Sequence, residues 1–316
     1  MSDYPVQIEA ADISAYRRGN TGIDYINRFS AERPGPHVML SAVVHGNELC
    51  GAIVLDWLLG NNVRPLRGTL TLAFMNVAAC ESFDPLEPEA SRFVNEDFNR
   101  VWGRDVLQGN RDSVELRRAR EVRPAVDRTE YLLDIHSMQH PTPPLMLCGA
   151  ATKGRNFARE IGYPANIVSD FGHAAGRRLR DYHPFADDGS PHNALLVECG
   201  QHWARESVTV ARNTALRFLQ HFGMLSADFV TEHSVKLHLA EPRVVEVSDA
   251  ITVRTERFQF KGDFQGMETI PAAGTLIATD GSFPVSTPYD NCVLIMPSRR
   301  LRIGQTAVRL GRFVEP

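Results

Sequence analysis

An α/β sheet flanked by helices, followed by a smaller all-β domain, is the architecture predicted by this sequence of 316 residues. Three observations predict it. In the first two-thirds, short apolar runs alternate with amphipathic stretches, as in a sheet covered by helices. From Ser234 onward the runs become shorter, of β type, and separated by Gly, Pro and Asp turns. The length also exceeds the ~100–200 residues of one ordinary domain. A boundary in the segment between the two patterns gives domains over 1–228 and 229–316.

The elements follow from local pattern. "HVMLSAVV" (37–44) and "TLTLAFMN" (69–76) read as strands, and "NELCGAIVLDWLL" (47–59) between them has the length of a helix, so the three form a βαβ-like unit. The polar segment 77–112 is too long for an ordinary connection and is expected to be functional or ordered by its own contacts. "SVELRRAREVRPAVD" (113–127) predicts a charged helix interrupted or kinked at Pro124. "TEYLLDIH" (129–136), "PLMLCG" (144–149) and "NALLVECG" (193–200) predict three more strands, and "WARESVTVARNTALRFLQHFG" (203–223) a helix ending at Gly223. The β-type runs of the tail lie at 233–239, 243–254, 257–264, 274–281 and 291–298.

Composition excludes several function classes. With 43% hydrophobic and 23% charged residues the chain is an ordinary globular one. A net charge of −4 with no basic stripe argues against nucleic acid as a partner. The N-terminus lacks a basic region followed by an apolar one, and no run approaches the ~18 apolar residues that cross a bilayer, so a cytoplasmic location without membrane attachment is expected. The five cysteines are odd in number, widely spaced and set mostly in apolar runs, which predicts reduced, buried thiols. An exposed edge in the β-tail could pair with a second chain, so a homo-oligomer is compatible with the sequence.

In open α/β sheets, ligands bind outside the carboxyl ends of the strands. Three predicted strand ends break their apolar run with chemically capable residues: His45 with Glu48, Asp134 with His136, and Glu198. His45 and Glu48 flank Gly46 on a strand-to-helix turn, where both side chains can converge. With His136 they make the two-histidine, one-carboxylate set that holds catalytic zinc and leaves a position open. Asp134 shares a strand face with His136 and can orient that imidazole through its second nitrogen. Hydrolysis of an amide also requires moving a proton from water to the departing nitrogen, and Glu198 fits that task.

Each residue alone has a plainer explanation. His45 and Glu48 would be a helix start with a first-turn carboxylate, His136 a hydrogen-bonded core histidine, and Glu198 a buried salt-bridge partner. Their conjunction at one end of three strands favours the metal reading. In the polar segment, "SRFVNEDFNRVWG" (91–103) carries Arg92, Asn99 and Arg100; an arginine beside an asparagine can grip a carboxylate by paired hydrogen bonds. A loop whose Asn and Asp cap local backbone groups explains the same letters.

"HGNE", "NEDFNR", "DIH" and "VECG", in this order and spacing, resemble the succinylglutamate desuccinylase/aspartoacylase family, related to zinc carboxypeptidases. The likeness spans roughly 37–225, and the β-rich tail is similar in type to that family's C-terminal domain. It implies a mixed sheet of zinc carboxypeptidase type. It further implies one zinc ion per chain on His45, Glu48 and His136, with Glu198 as general base and acid. Asn99 and Arg100 match the family's pair for the substrate α-carboxylate, and Arg92 the arginine that polarises the scissile carbonyl. One departure concerns specificity. Aspartoacylase-like enzymes place a further arginine shortly before the catalytic glutamate, whereas here the ten residues before Glu198 are "DGSPHNALLV". The nearest candidates for reading a substrate's side-chain carboxylate are Arg177, Arg178 and Arg180 in "GRRLRDYH"; Tyr289, in the tail's "PYD", could donate its hydroxyl to the cleft or be an ordinary turn tyrosine.

The expected activity is zinc-dependent hydrolysis of the amide bond of a small N-acyl amino acid or close relative. The alternatives are carboxypeptidase-like hydrolysis of short peptides, and a non-catalytic carboxylate binder on the same fold. Retention of Glu198 speaks against the binder, which needs no proton shuttle.

Overall fold

The computed structural model describes residues 4–235, 240–299 and 301–314. Its first half is built from β1 (Ile26–Ser30), β2 (His37–Ala42), α1 (Leu49–Gly60), β3 (Thr69–Phe74), α2 (Val77–Glu81), α3 (Arg104–Gln108), α4 (Val114–Val126) and β4 (Tyr131–Met138). Next come β5 (Leu145–Leu147), α5 (Thr152–Ile161), β6 (Asn166–Ser169), β7 (Asn193–Gln201), α6 (Arg205–His221) and α7 (Ala227–His233). The tail supplies β8 (Arg243–Thr252), β9 (Phe258–Phe260), β10 (Glu268–Ile270), β11 (Leu276–Asp280), β12 (Phe283–Ser286), β13 (Cys292–Ile295) and β14 (Thr306–Val314).

Eleven strands form one mixed sheet in the order β1-β3-β2-β4-β7-β5-β6-β8-β14-β13-β10. Strands β3, β2, β4 and β7 are mutually parallel, which places their carboxyl ends side by side. The tail continues this sheet. β6 pairs in parallel with β8, and β14 and β13 follow antiparallel. β9, β11 and β12 form a second, three-stranded antiparallel sheet.

Strand periodicity sorts the side chains into two layers. Leu133 and Ile135 of β4 and Leu195, Val197 and Cys199 of β7 point into the core beneath α1, α5 and α6. Leu132 and Ala194 point to the opposite face, which is covered by Leu116, Ala119 and Val122 of α4. Asp134, His136 and Glu198 share the parity of that second face, so they rise from the sheet on the side away from α1 and α6. Leu196 joins Val245, Val293 and Ile295 in a further apolar cluster, through which the tail packs beside the site.

Two expectations are revised. α4 runs unbroken through Pro124 to Val126, because the proline lies in the last turn, where its missing N–H removes one hydrogen bond. The β-type run at 233–239 does not begin as a strand: His233 ends α7, and 236–239 lie outside the described residues. The polar segment 77–112 is ordered by contacts, in line with its length. Glu115 of α4, fully buried, accepts hydrogen bonds from the backbone N–H groups of Val94, Asn95 and Glu96 at 2.7, 3.1 and 3.3 Å, and so fixes the stretch that bears Arg92. The five cysteines are free and buried, and among the described residues no helix is long and apolar enough to cross a membrane.

Candidate metal centre and catalytic cavity

β2 ends at Ala42, and the chain then passes through Val43 in the left-handed region before His45. Gly46 follows because nothing larger fits: a Cβ there would lie 2.3 Å from the carbonyl carbon of Ala79 and 2.4 Å from the oxygen of Ser91. Its N–H donates to the Arg92 carbonyl at 3.1 Å, so the turn is clamped to the polar segment. Glu48 occupies the N-cap position of α1 without a capping hydrogen bond, which frees its carboxylate for the centre.

His45, Glu48 and His136 are all buried, and one ligand atom from each lies within 4.8 Å of the others. Glu48 Oε1 is 2.6 Å from His45 Nδ1, and Oε2 is 2.8 Å from His136 Nδ1. The distal nitrogens also meet carboxylates. His136 Nε2 is 2.8 Å from Asp134 Oδ2, and His45 Nε2 is 2.9 Å from Asp97 Oδ1. Asp134 is itself held by the Ser41 hydroxyl at 2.6 Å. An imidazole whose Nε2–H donates to a carboxylate presents the Nδ1 lone pair, the form in which histidine binds metal.

The charges identify what fits between these groups. Burial alone would raise the pKa of Glu48, but His45 and His136 hold it well below the ordinary 4.5. Burial alone would lower that of His136, but Asp134 and Glu48 hold it well above 6.5. Without a cation, the proton that His136 holds offsets the buried carboxylates of Glu48 and Asp134 beside it. A divalent ion does the same work with deprotonated ligands, and two imidazoles with a carboxylate are a donor set suited to zinc.

Glu198 stands in register with His136 on the neighbouring strand β7. Its Oε2 is buried and has no hydrogen-bond partner. Burial, reinforced by Glu48, raises its pKa well above 4.5, against the opposing pull of His136 and Arg92. A carboxyl group in that state can hold a proton near neutral pH and release it.

A cavity of about 800 Å³ opens over these residues, and Arg92, Asp97, Asn99, Arg100, Arg178 and Arg309 are among those that line it. Arg92 Nη1 donates to Glu48 Oε1 at 3.3 Å, and Nη2 lies 2.9 Å from His45 Nε2. Asn99 and Arg100 sit on a 3-10 turn capped by Asp97, which accepts from the Asn99 N–H at 2.8 Å. The capping explanation thus holds for part of the loop: Asn95 accepts from the Val114 N–H, and Asn99 Oδ1 from the Leu179 N–H. Arg100 donates to the Asn99 carbonyl at 2.7 Å, and burial lowers its pKa to about 10.

Two expected ligand contacts are corrected. Arg178 lines the cavity, but its Nε, Nη1 and Nη2 all bond to Asp170 and Asp181, so it is a wall element rather than a free hand. Tyr289 is not among the cavity-lining residues. Its hydroxyl bonds to Ser248 Oγ at 2.6 Å, and its ring stacks under the Arg312 guanidinium, 4.2 Å from the ring centroid.

The comparisons with known proteins agree with this geometry. Residues 34–177 match the succinylglutamate desuccinylase/aspartoacylase catalytic domain. The resemblance is thereby borne out over the segment that holds three of the four motifs. The matched segment contains His45, Glu48, Arg92, Asn99, Arg100, Asp134 and His136 and stops short of Glu198. No curated protein matches the chain by sequence. Among solved structures, succinylglutamate desuccinylase from Vibrio parahaemolyticus superposes with a TM-score of 0.68 at 16% identity, covering 92% of this chain and 87% of that one. Murine aminoacylase 3 gives 0.61 at 16% identity over 90% of this chain and 97% of its own. The product-bound ectoine utilization protein EutE from Ruegeria pomeroyi gives 0.59 at 15%, over 92% and 88%. These likenesses establish the family's mixed α/β fold for this chain, tail included.

The family motifs did not point to every residue in the cavity. His202, just after β7, is buried against Ser137 Oγ at 2.9 Å, and burial lowers its pKa to about 3. Arg309 comes from β14, which no motif marked. The available signal was one charge inside the apolar run "TAVRLG".

Proposed function

We propose that this chain is a zinc-dependent hydrolase that cleaves the amide bond of a small N-acyl amino acid or a close relative. The observation that carries it is the buried convergence of His45, Glu48 and His136 beside an unpartnered carboxyl oxygen of Glu198. When bound there, zinc supplies a Lewis acid that makes water a nucleophile near neutral pH and polarises a carbonyl.

The chain's own residues supply the rest. Glu198 takes the proton of the attacking water and hands it to the departing nitrogen, a two-way role suited to its raised pKa. Arg92, at the mouth of the ligand set, donates to the oxygen on which negative charge develops, an interaction strongest in the transition state. Asn99 and Arg100 hold the substrate's carboxylate, with Arg100 fixed in direction by the Asn99 carbonyl. Asp134 keeps the His136 ring in its ligating orientation. The names of the structural relatives, a desuccinylase and an aminoacylase, support the same class of amide.

The test combines metal analysis with a screen of acetylated and succinylated amino acids. About one zinc per chain and turnover of at least one N-acyl amino acid are expected. Absence of both would sink the reading.

A further inference from the structure

The residues just before Glu198 contain no arginine, and Arg178 and Arg180 are engaged elsewhere: Arg180 donates to Asp181 and to the carbonyls of Cys148 and Ala194. Arg309 is different. It lines the cavity, yet only 6% of the residue is exposed. Among the described residues its Nε has no hydrogen-bond partner, and its ion-pair contact is Asp170 Oδ2 at 3.4 Å. Asp170 is already occupied, since both of its oxygens accept from Arg178, at 2.9 and 2.5 Å. In this wall three guanidiniums, of Arg178, Arg180 and Arg309, face two carboxylates, of Asp170 and Asp181. The cation left without a hydrogen-bonded partner is the one supplied by the tail.

Local backbone geometry explains how it arrives. The register of β14 against β8 shifts between Thr306 and Val308. An irregularity of this kind re-aims the side chains that follow it, so Thr306 and Arg309 both line the cavity although they are three residues apart. A buried cation without a hydrogen-bonded partner is destabilising and persists where a ligand answers it.

We infer that Arg309 is a specificity-determining residue that binds a second anionic group of the substrate, beyond the carboxylate held by Asn99 and Arg100. The substrate is then an N-acyl compound with a carboxylate on its side chain or on its acyl group, read by a strand of the C-terminal region. The inference rests on the hydrolase reading for the word substrate, but the anion subsite itself is tested without turnover.

The experiment is equilibrium binding to zinc-loaded Glu198→Gln protein, with and without Arg309→Gln. Two matched pairs serve as probes: N-acetyl-L-glutamate with N-acetyl-L-glutamine, and N-succinyl-L-alanine with N-butyryl-L-alanine. The Arg309-intact protein is expected to favour the dianion of at least one pair by roughly 10- to 100-fold, as befits a charge-assisted hydrogen bond. Arg309→Gln should erase that preference and leave binding of the monoanion within about twofold; Arg309→Lys should restore part of it. Thermal melting separates this from a structural role, because removing a buried cation that makes no hydrogen bond should leave Tm unchanged or higher. No dianion preference in either pair, or a preference that survives Arg309→Gln, overturns the proposal. If the preference behaves as expected but the unmodified protein turns over no amide, only the hydrolase reading falls.

Discussion

The two sides of the cavity are built on opposite principles. On one side, His45, Glu48, Asp134, His136 and Glu198 rise from the ends of adjacent parallel strands and are buried, and all but Glu198 are cross-linked by short hydrogen bonds. On the other, Arg92, Arg100, Arg178 and Arg309 come from loops and from a distant strand. The strand side fixes what chemistry is possible, because parallel register leaves its groups one relative position. The arginine side is suited to selecting what enters, and its Arg92 and Arg309 are placed by contacts with Glu48 and Asp170 that lie far off in the chain. Under the proposed function, reaction and specificity therefore rest largely on separate parts of the structure, Arg92 being the arginine that joins the reaction, and the two should respond separately to substitution.

The largest expected effect tests the strand side. Glu198→Gln should lower kcat by roughly 10²- to 10⁴-fold while metal analysis still finds zinc; equal turnover would remove Glu198 from proton transfer. Asp134→Asn comes next. By disturbing the orientation of His136 it should weaken zinc binding about 10- to 100-fold, read by competition with a chelator, and unchanged affinity would deny that role. On the arginine side, Arg100→Ala should raise KM by about 10-fold or more with a smaller change in kcat. The reverse pattern would move Arg100 from binding to chemistry.

A smaller effect links the metal side to pH. The pKa of His136 is raised in the metal-free fold, so its contribution to stability is complete below its unfolded value of about 6.5 and is lost as pH rises through the folded value. Zinc bound as proposed would take the proton's place at that ring. The gain in Tm on adding zinc should therefore be larger at pH 8 than at pH 6, and a gain that shrinks with pH would contradict the ligand assignment. The smallest effect lies outside both sides. Tyr289→Phe should leave kcat and KM unchanged and cost about 1 kcal/mol of stability at most, through the lost bond to Ser248. A shift in KM would bring the tail's turn back into the cavity.

The legibility of the two sides differs for the same reason. His45, Glu48, His136 and Glu198 could be read because each terminates an apolar run, and parallel strands of one sheet bring such ends together whatever lies between them. Asp134 could be read from period-two geometry alone. Arg178 was visible as a charge near the site, but its neutralisation by Asp170, eight residues earlier in the chain, was not. Nor was the displacement of Tyr289 to the Ser248 side of the tail. Glu115, one charge among many in its helix, is the buried anchor of the arginine-bearing loop, and nothing in the local pattern sets it apart.

By itself, then, the sequence determined the layered α/β order, the strand ends and the donor set, all of which depend on neighbours in the chain or on a repeating backbone period. The tertiary structure decided which arginine stays unanswered. That depends on pairing among Arg178, Arg180, Arg309, Asp170 and Asp181, groups drawn from separate elements whose charges compensate only when β14 is laid against β8 and the cavity wall closes.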